Sequence, residues 1–271
     1  MANIHSTALV DPAAKLDASV TVGPYSIIGP HVTIGAGTTV GSHCTIDGHT
    51  TIGQNNHIHS YNSLGAAPQD KKYAGEPTRL VIGDGNTIRE FCTFNAGTVN
   101  GGGITQVGHD NLFMAYVHLA HDCFVGSHTI FANNSQLAGH VHVGDWVILG
   151  GFTVVRQFLR LGAHSFTAMC TLLFADLPPY VTCQGQPAVA RTVNAEGLRR
   201  RGYSPTRIAA VRSMHKALYR ENLSLEAAKE RIAQIAIDKP EALADVQMML
   251  DFLAQVSPKV GIVRSRRRLA D

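Results

Sequence analysis

Residues 22–53 read VGPYSIIGPHVTIGAGTTVGSHCTIDGHTTIG and repeat one pattern every six residues. An aliphatic residue opens each unit and glycine often follows it, as in Val22-Gly23 and Ile28-Gly29. An α-helix has a period of 3.6 and a simple strand a period of two, so neither produces this spacing. A short strand followed by a tight corner does. Outward from this stretch, the aliphatic phase is unbroken at Ile4, Val10, Leu16, Val22, Ile28, Ile34, Val40, Ile46, Ile52, Ile58 and Leu64.

Three such units form a triangular coil of 18 residues, with aliphatic side chains inside and glycine easing the corners. The phase resumes at Ile82 and, after a break, runs from Val107 to Leu161. An antiparallel sandwich would instead alternate with a period of two and have irregular turn spacing. The sequence therefore predicts an all-β main domain, a parallel β-helix of hexapeptide repeats.

Two segments interrupt the phase, and we expect both to be loops: residues 66–80, which are polar, and residues 96–106, which contain three consecutive glycines. For each, both a tolerated insertion and a functional loop remain open. The predicted domains are a β-helix at residues 1–190 and a smaller α-helical domain at residues 191–264. Residues 265–271 form a basic tail that we expect to be disordered.

Helix signals appear only in the second domain. Ser204-Pro205 and Ser224 have the residue types that begin helices, and Pro240 can open a third helix.

The formal charge is divided between the two parts of the chain. The whole chain has 23 Lys+Arg and 20 Asp+Glu, a net of +3. Residues 1–198 contain 8 basic and 12 acidic residues, a net of −4, whereas residues 199–271 contain 15 and 8, a net of +7. The first 198 residues are therefore acidic overall, and the remaining residues form a basic domain.

Composition also predicts where the protein acts. No apolar run reaches the roughly 18 residues of a membrane-spanning helix, and MANIHSTALVDPAA lacks the apolar core of a secretion signal. Five cysteines without a C-x-x-C pair indicate reduced thiols. We expect a cytoplasmic protein with no membrane span.

The segment MAYVHLAHDC, residues 114–123, contains the richest group of chemically active side chains. Residues 18 apart lie on adjacent coils, about 4.8 Å from each other. His121 should therefore lie next to Gly139 and Asp122 next to His140, with Gln157 one coil further. A histidine base beside a free backbone N–H is what acyl transfer to a hydroxyl requires.

Other site classes fit the sequence less well. Zinc-binding trimeric β-helices resembling γ-class carbonic anhydrases use an H-x-x-x-x-H pair, and no two histidines here are five apart. We therefore predict no metal site. Arg199-Arg200-Arg201 lacks interleaved aromatic residues, so nucleic acid is not an expected partner.

These residues resemble the UDP-N-acetylglucosamine O-acyltransferases, which carry out the first step of bacterial lipid A synthesis. The matching stretches cover nearly the whole chain to about Arg264. They include GPYSIIGPHVTIG, GHTTIG, QDKKYAGEPTRLVIGD, NTIRE, DNLFMAYVHLAHDC, ANNSQLAGHVHVGD and VNAEGLRRRGYS.

The resemblance implies a left-handed β-helix with a C-terminal helical domain, assembled as a homotrimer with active sites between subunits. It also implies transfer of a β-hydroxyacyl group from acyl carrier protein to the 3-hydroxyl of UDP-N-acetylglucosamine. The donor is carried on the phosphopantetheine of the carrier, so no resident cofactor is implied. The basic C-terminal domain would complement an acidic carrier protein.

The resemblance also implies residue roles. His121 is the general base, Asp122 orients it, and the Gly139 N–H holds the thioester oxyanion. Residues implied to position the sugar nucleotide and the acyl chain are His118, His140, Gln157, Asp70 and Lys72; those implied to lie near the nucleotide or the pantetheine are Asn194, Glu196, Arg200 and Arg201.

Met169 and three departures distinguish this chain from the family pattern. The family sets acyl length by the bulk of a residue above the base, and 48 residues from His121 to Met169 correspond to a rise of ~13 Å. We therefore expect a C10-like donor. Arg156 and Asn95-Ala96 stand where the family often has His and His-Arg, and Pro187 replaces a His of some members, so no role is transferred to them.

Two alternatives remain: a related hexapeptide N-acyltransferase acting on an amino sugar nucleotide, and a non-catalytic β-helix scaffold. An ester product rather than an amide would exclude the first, and loss of activity in His121→Ala would exclude the second.

Overall fold

The computed structural model describes residues 2–265. The predicted basic tail lies, apart from Ser265, outside the described residues. In the described part, short parallel strands stack into three sheets that form the sides of a triangular prism. The predicted fold class, a left-handed parallel β-helix followed by a smaller α-helical domain, is confirmed. No helix among residues 2–265 is long and apolar enough to cross a membrane.

Sheet A runs the length of the prism, and its last two strands pair antiparallel. Its strands are β1 (Asn3–Ile4), β4 (Thr21–Val22), β7 (Thr39–Val40), β10 (His57–Ile58), β13 (Thr87–Ile88), β16 (Leu112–Phe113), β19 (Ile130–Phe131), β22 (Ile148–Leu149), β25 (Phe166–Thr167), β27 (Val181–Gln184) and β28 (Val189–Val193).

Sheets B and C form the other two sides. Sheet B contains β2 (Leu9–Val10), β5 (Ile27–Ile28), β8 (Thr45–Ile46), β11 (Ser63–Ala66), β14 (Thr93–Asn95), β17 (His118–Leu119), β20 (Gln136–Leu137), β23 (Val154–Val155) and β26 (Leu172–Leu173). Sheet C contains β3 (Lys15–Leu16), β6 (Thr33–Ile34), β9 (His49–Ile52), β12 (Arg79–Ile82), β15 (Ile104–Val107), β18 (Phe124–Val125), β21 (His142–Val143) and β24 (Arg160–Leu161).

The predicted aliphatic phase is the core of the prism. From Val22 to Leu161 these side chains are at most 2% exposed, because each lies between coils above and below it. Ile4 is 42% exposed, since the first coil has no coil beneath it. The residues that recur with a period of six are therefore the ones that fill the interior of the prism.

The glycines that follow the aliphatic residues serve a different purpose from the one predicted. A Cβ at Gly23 would lie 2.8 Å from the carbonyl carbon of Gly41 in the next coil, so the close stacking of coils excludes larger residues there. The left-handed backbone conformation falls two positions later, on residues such as Tyr25 and His140, with φ of 58° and 61°. The corners thus carry side chains that can stack on one another.

The three edges of the prism are named here by the sheets that they join. Along the A/B corner, the rings of Tyr25, His43, Tyr61, Phe91 and Tyr116 stack at 4.9–5.1 Å. The B/C corner contains His121, and the helical domain covers the upper turns of the C/A corner, where Arg201 and Tyr203 contact His164. Since the cross-section is triangular, the B/C corner lies on the opposite side of the prism from sheet A.

The helical domain contains α1 (Ala195–Arg200), α2 (Pro205–Tyr219), α3 (Leu225–Asp238) and α4 (Leu243–Ala254), with a 3₁₀ turn at Pro240–Ala242. Ser204 and Ser224 accept hydrogen bonds from Arg207 N–H and Ala227 N–H, which confirms them as the N-caps of α2 and α3. The short helix α1 was not predicted.

Candidate active site

His121 and Asp122 lie in the turn between β17 and β18, at the B/C corner. Gly139 and His140 occupy the equivalent turn of the next coil, and the His140 N–H donates to the His121 carbonyl at 3.1 Å. The stacking predicted from the spacing of 18 residues is therefore confirmed. The ring centroids of His121 and His140 are 5.2 Å apart, in an edge-on arrangement.

Asp122 is a buried carboxylate with its hydrogen-bonding capacity largely filled. Its Oδ2 lies 2.8 Å from Nδ1 of His121, and its side chain is only 1% exposed. The Thr98 N–H donates to Oδ1 at 2.7 Å, and the Thr98 hydroxyl donates to Oδ2 at 2.6 Å. In the neutral imidazole, a proton on Nδ1 of His121 makes this contact with the carboxylate and leaves a lone pair on Nε2.

Thr98 belongs to the second of the two insertions. It caps the 3₁₀ turn Val99–Gly101, and a Cβ at Gly101 would lie 2.1 Å from Cγ of Asp122. The glycine-rich segment therefore closes directly over the carboxylate. Residues 96–106 therefore contact the candidate site through Thr98 and Gly101.

Gly139 lies one coil above His121 and packs against the ring of that residue. A Cβ at this position would be 2.6 Å from Cε1 and 2.9 Å from Nε2 of His121, so only glycine leaves room for the ring. Among the described residues, no protein acceptor is found for its N–H. The His121 N–H, at the same turn position, is likewise unbonded there. What distinguishes Gly139 is the imidazole packed against it.

His118, Gln157 and Phe158 surround this centre. The Nδ1 atom of His118 is 2.7 Å from the Thr93 hydroxyl, and burial lowers the pKa of His118. Gln157 is exposed in the turn between β23 and β24, and the Phe158 ring stacks on His140 at 4.5 Å. The B/C corner thus presents a row of polar groups beside an exposed aromatic ring.

His121, Asp122 and His140 each offer one potential metal-ligand atom, all within 4.8 Å of one another. Both carboxylate oxygens of Asp122 already accept hydrogen bonds from Thr98. The arrangement resembles a carboxylate-oriented histidine more than an open coordination site, because a cation would have to displace these donors.

A second group of predicted residues lies elsewhere, on sheet A. Asn194, Glu196, Arg200 and Arg201 line one wall of a cavity of about 630 Å³. The opposite wall is formed by side chains of β19, β22 and β25: Ile130, Ile148 and Phe166. A flat apolar surface faces an amide and two guanidinium groups, of which Arg200 is 3.2 Å from the Glu196 carboxylate and Arg201 is not paired with it. This lining suits a ligand with a planar ring and an anionic part.

Asp70 and Lys72 lie in the first insertion, between β11 and β12. The Lys72 N–H donates to Oδ1 of Asp70 at 3.0 Å, and the Tyr73 hydroxyl donates to the Glu76 carbonyl at 2.6 Å. The loop is therefore ordered by its own contacts. Within residues 2–265, it makes no recorded hydrogen bond or ion pair with His121 or with the sheet A cavity.

Comparison with known proteins identifies the family. Residues 176–263 match the model described as UDP N-acetylglucosamine O-acyltransferase, domain 2, and residues 13–48 match the bacterial transferase hexapeptide model. The acyl-[acyl-carrier-protein]–UDP-N-acetylglucosamine O-acyltransferase of Albidiferax ferrireducens is 70% identical over 264 residues, covering 97% of this chain and 100% of that protein. Its Thiobacillus denitrificans counterpart is 59% identical over 266 residues, with the same coverage. This chain belongs to the UDP-N-acetylglucosamine O-acyltransferase family.

Solved structures of this acyltransferase family have the same fold. The Francisella novicida enzyme has a TM-score of 0.93 at 37% identity, covering 98% of this chain and 96% of its own. The Moraxella catarrhalis enzyme has a TM-score of 0.91 at 40% identity, covering 96% and 99%.

The residues that depart from the family pattern, Asn95, Arg156 and Pro187, lie in three different environments. The Asn95 Nδ2 donates to the Ala67 carbonyl at 2.9 Å and so anchors the first insertion, while its Oδ1 is buried without a protein partner. Arg156 is exposed at the B/C corner, and Pro187 lines a separate cavity beside Phe174.

Met169 is 71% exposed in the turn between β25 and β26, at the A/B corner. The rise of ~13 Å estimated for the acyltransferase ruler is the component along the prism axis. Because His121 lies at the B/C corner, an acyl chain that reaches both must also cross sheet B or pass between two copies of the chain.

Proposed function

We propose that this protein transfers a β-hydroxyacyl group from acyl carrier protein to the 3-hydroxyl of UDP-N-acetylglucosamine, the first step of lipid A biosynthesis, with His121 as the general base. The observation that carries this proposal is the pairing of His121 with Asp122 against Gly139 of the next coil, whose N–H is unbonded among the described residues. The relatives named for this activity match the chain over 97% of its length.

The geometry supports a direct transfer. The Nε2 atom of His121 takes the proton of the sugar 3-hydroxyl while that oxygen attacks the thioester carbonyl. Asp122 stabilises the imidazolium that forms, and the Gly139 N–H stabilises the oxyanion. When the C–S bond breaks, the imidazolium returns its proton to the leaving thiolate of phosphopantetheine. The ester product and free thiol balance the reaction without a resident cofactor.

We propose that the site is shared between copies of the chain in a homotrimer. His121 is at the B/C corner, whereas Asn194 and Arg201 line sheet A on the opposite side of the same prism. One small substrate cannot contact both within a single chain, but it can when sheet A of one copy faces the B/C corner of another. We propose that the first insertion, which holds Asp70 and the exposed Lys72, contacts such a neighbour.

Mixing two impaired variants tests this arrangement, with both substrates held well below their wild-type KM so that a raised KM appears as lost activity. His121→Ala chains and Arg201→Ala chains, unfolded and refolded together in equal amounts, form some trimers in which one corner and the facing cavity are both intact. Random assembly restores about a quarter of the sites. Refolding each variant alone is the control, and a mixture no more active than the controls contradicts a shared site.

The acyl carrier protein is proposed to dock on the helical domain, whose basic excess complements an acidic protein. The protein is proposed to act in the cytoplasm, where its five free cysteines stay reduced. Raising salt should raise the KM for the carrier more than the KM for the sugar nucleotide, because only the former depends on long-range attraction between two proteins.

Met169 is proposed to limit the acyl chain to about ten carbons. The wild-type protein should prefer a C10 hydroxyacyl carrier over C12 and C14 donors, and Met169→Gly should shift the preference towards longer chains. Methionine is flexible, so its thioether could also turn aside. A wild-type preference for C14 contradicts the proposed limit.

The activity itself is tested with purified protein, hydroxyacyl carrier and UDP-N-acetylglucosamine. The expected product is a 3-O-ester, which hydroxylamine cleaves. A hydroxylamine-resistant amide formed on an amino sugar nucleotide would indicate the related N-acyltransferase instead. Absence of product with every donor length would favour the scaffold.

A further inference from the structure

His164 occupies the C/A corner, away from the His121 centre. Its backbone is left-handed with φ of 62°, and the residue is 6% exposed. Its ring stacks between Trp146 and Tyr180, with centroids 6.3 and 5.4 Å away. The acyl-transfer chemistry at His121 makes no use of this buried imidazole.

The hydrogen bonds of the His164 ring define its protonation. Nη1 of Arg201 is 3.1 Å from Nδ1, and the Tyr203 hydroxyl is 3.2 Å from Nε2. A guanidinium group can only donate, so Nδ1 is the acceptor and Nε2 carries the proton. Burial, followed by the nearby Arg201 charge, lowers the pKa of His164 to about 4, which keeps the ring in this neutral form near pH 7.

Arg201 has two further contacts on the same side. Its Nη2 donates to the Trp146 carbonyl at 3.2 Å, and its guanidinium carbon lies 4.8 Å from the centre of the Trp146 ring. The Arg201 guanidinium therefore lines the cavity on sheet A in an orientation that three contacts define: the Trp146 carbonyl, the face of the Trp146 ring and Nδ1 of His164. The Nδ1 atom of His164 is the one side-chain acceptor among them.

The main chain of His164 holds a second residue of the same cavity. The Asn194 Nδ2 donates to the His164 carbonyl at 3.3 Å, and the Asn194 Oδ1 accepts from the Gly197 N–H at 3.2 Å, capping α1. One corner residue thus contacts both Asn194 and Arg201, which lie at opposite ends of that helix.

A buried ion pair fixes the other side of His164. Asp245 in α4 is 1% exposed and accepts two hydrogen bonds of 2.8 Å from Arg207 in α2. The Tyr180 hydroxyl donates to the same carboxylate at 2.9 Å, and Arg207 lies 3.8 Å over the Tyr203 ring. Tyr203, the partner of Nε2, is therefore held by two helices, so the imidazole has little freedom to turn.

We propose that His164 is a positioning residue, which orients Arg201 and Asn194 for substrate binding in the sheet A cavity. This inference rests on the proposed function of that cavity. Without the Nδ1 acceptor, the Arg201 side chain recovers alternative rotamers, and substrate binding must then order it again. The loss should appear in KM and leave kcat nearly unchanged, because His164 touches none of the reacting atoms.

The chain itself supplies suitable replacements for His164. Phenylalanine occupies equivalent left-handed corners at Phe91, Phe152 and Phe158, and asparagine does so at Asn134. His164→Phe keeps a stacked ring but removes the Nδ1 acceptor of Arg201. It should raise the KM of the substrate that Arg201 binds, UDP-N-acetylglucosamine or the acyl carrier, about fivefold. His164→Asn places an amide oxygen near the Nδ1 position and should keep that KM within about twofold of wild type.

Two reference variants make the test specific. Arg201→Ala should raise the same KM, for UDP-N-acetylglucosamine or the acyl carrier, and adding His164→Phe to it should have little further effect. His128→Phe is the matched control, because His128 stacks on Trp146 at 4.2 Å from a lower coil and has no recorded contact with Arg201. Its KM values should not change.

If His164→Phe folds poorly, His164→Gln replaces it, since a longer amide reaches the Tyr203 side and leaves Arg201 without its acceptor. The positioning role is overturned if Arg201→Ala raises a KM and neither of these variants does, or if kcat falls while KM is unchanged. If Arg201→Ala alters neither KM, the proposed function of the cavity fails, and the role of His164 fails with it.

Discussion

His140 and His164 occupy equivalent corner positions of the same prism, but they have opposite electrostatic neighbours. Their φ angles are 61° and 62°, and each stacks on an aromatic ring. The Nε2 atom of His140 lies 3.7 Å from Asp122, whereas Nδ1 of His164 lies 3.1 Å from Arg201. The backbone of the repeat therefore defines where a side chain points, and the neighbouring residue defines what that side chain can do.

The neighbours come from segments outside the repeat. At the B/C corner, Thr98 of the second insertion holds the carboxylate beside His121. At the C/A corner, Arg201 and Tyr203 follow helix α1 and enclose His164. One corner remains accessible and suited to proton transfer, while the other is closed and suited to holding a guanidinium in place.

The largest expected difference between the corners is in kcat. His121→Ala should lower kcat by about 10³-fold, because it removes the imidazole that is paired with Asp122 and packed against Gly139. His164→Phe should change kcat by less than about twofold. Steady-state kinetics with both substrates saturating measures this contrast, and near-normal turnover in His121→Ala contradicts the proposed base.

The second contrast is in stability at low pH. His164 and His215 are buried, and burial lowers the pKa of each to about 4, with Arg201 and Arg220 adding to the effect. In the unfolded chain, each titrates near 6.5, so between pH 6.5 and 4 the unfolded state binds more protons and stability falls as pH falls. Each residue contributes up to about 3 kcal/mol to that loss.

Denaturant unfolding at pH 7 and pH 4.5 measures this effect. His164→Phe should lose less stability than wild type on acidification, because the buried imidazole that binds a proton more readily in the unfolded state is gone. His128→Phe, from the exposed part of the same corner, should follow wild type. Parallel losses in all three proteins would show that the burial of His164 does not contribute.

The sequence predicts much of this comparison. The phase of six located the buried aliphatic residues, and the spacing of 18 placed Gly139 and His140 beside His121 and Asp122, because uninterrupted coils have constant length. Glycine eases the corner at Gly37 and Gly85, where φ is 70°, but the glycine at Gly23 is required by the 2.8 Å approach of the next coil and not by corner conformation.

The contacts that make the two corners chemically different, Thr98 with Asp122 and Arg201 with His164, could not be predicted from the repeat. Thr98 is 24 residues from Asp122 across an insertion, and Arg201 is 37 residues from His164 across a domain boundary. A constant coil length of 18 residues does not predict which residues meet across an insertion or a domain boundary, so it predicts neither contact. The one available signal was the residue types themselves: three consecutive glycines near a carboxylate, and three arginines after an N-cap asparagine.

The smallest expected effect tests the contribution of the second insertion. Thr98→Val removes the hydroxyl that donates to Asp122 at 2.6 Å, while the backbone N–H can still donate to the other oxygen. Asp122 then has one fewer fixed partner and holds His121 less firmly. We therefore expect kcat to fall about tenfold, which corresponds to a rise of about 1.4 kcal/mol in the activation free energy.

Thr129→Val is the matched control, because its hydroxyl donates to the Asn111 side chain at 2.7 Å in the C/A corner. That substitution also removes a buried hydrogen bond, so it should lower stability by a similar amount and leave kcat unchanged. Equal kcat values in the two variants would mean that Thr98 stabilises the coil without orienting the catalytic pair, and the difference between the corners would then depend on Asp122 alone.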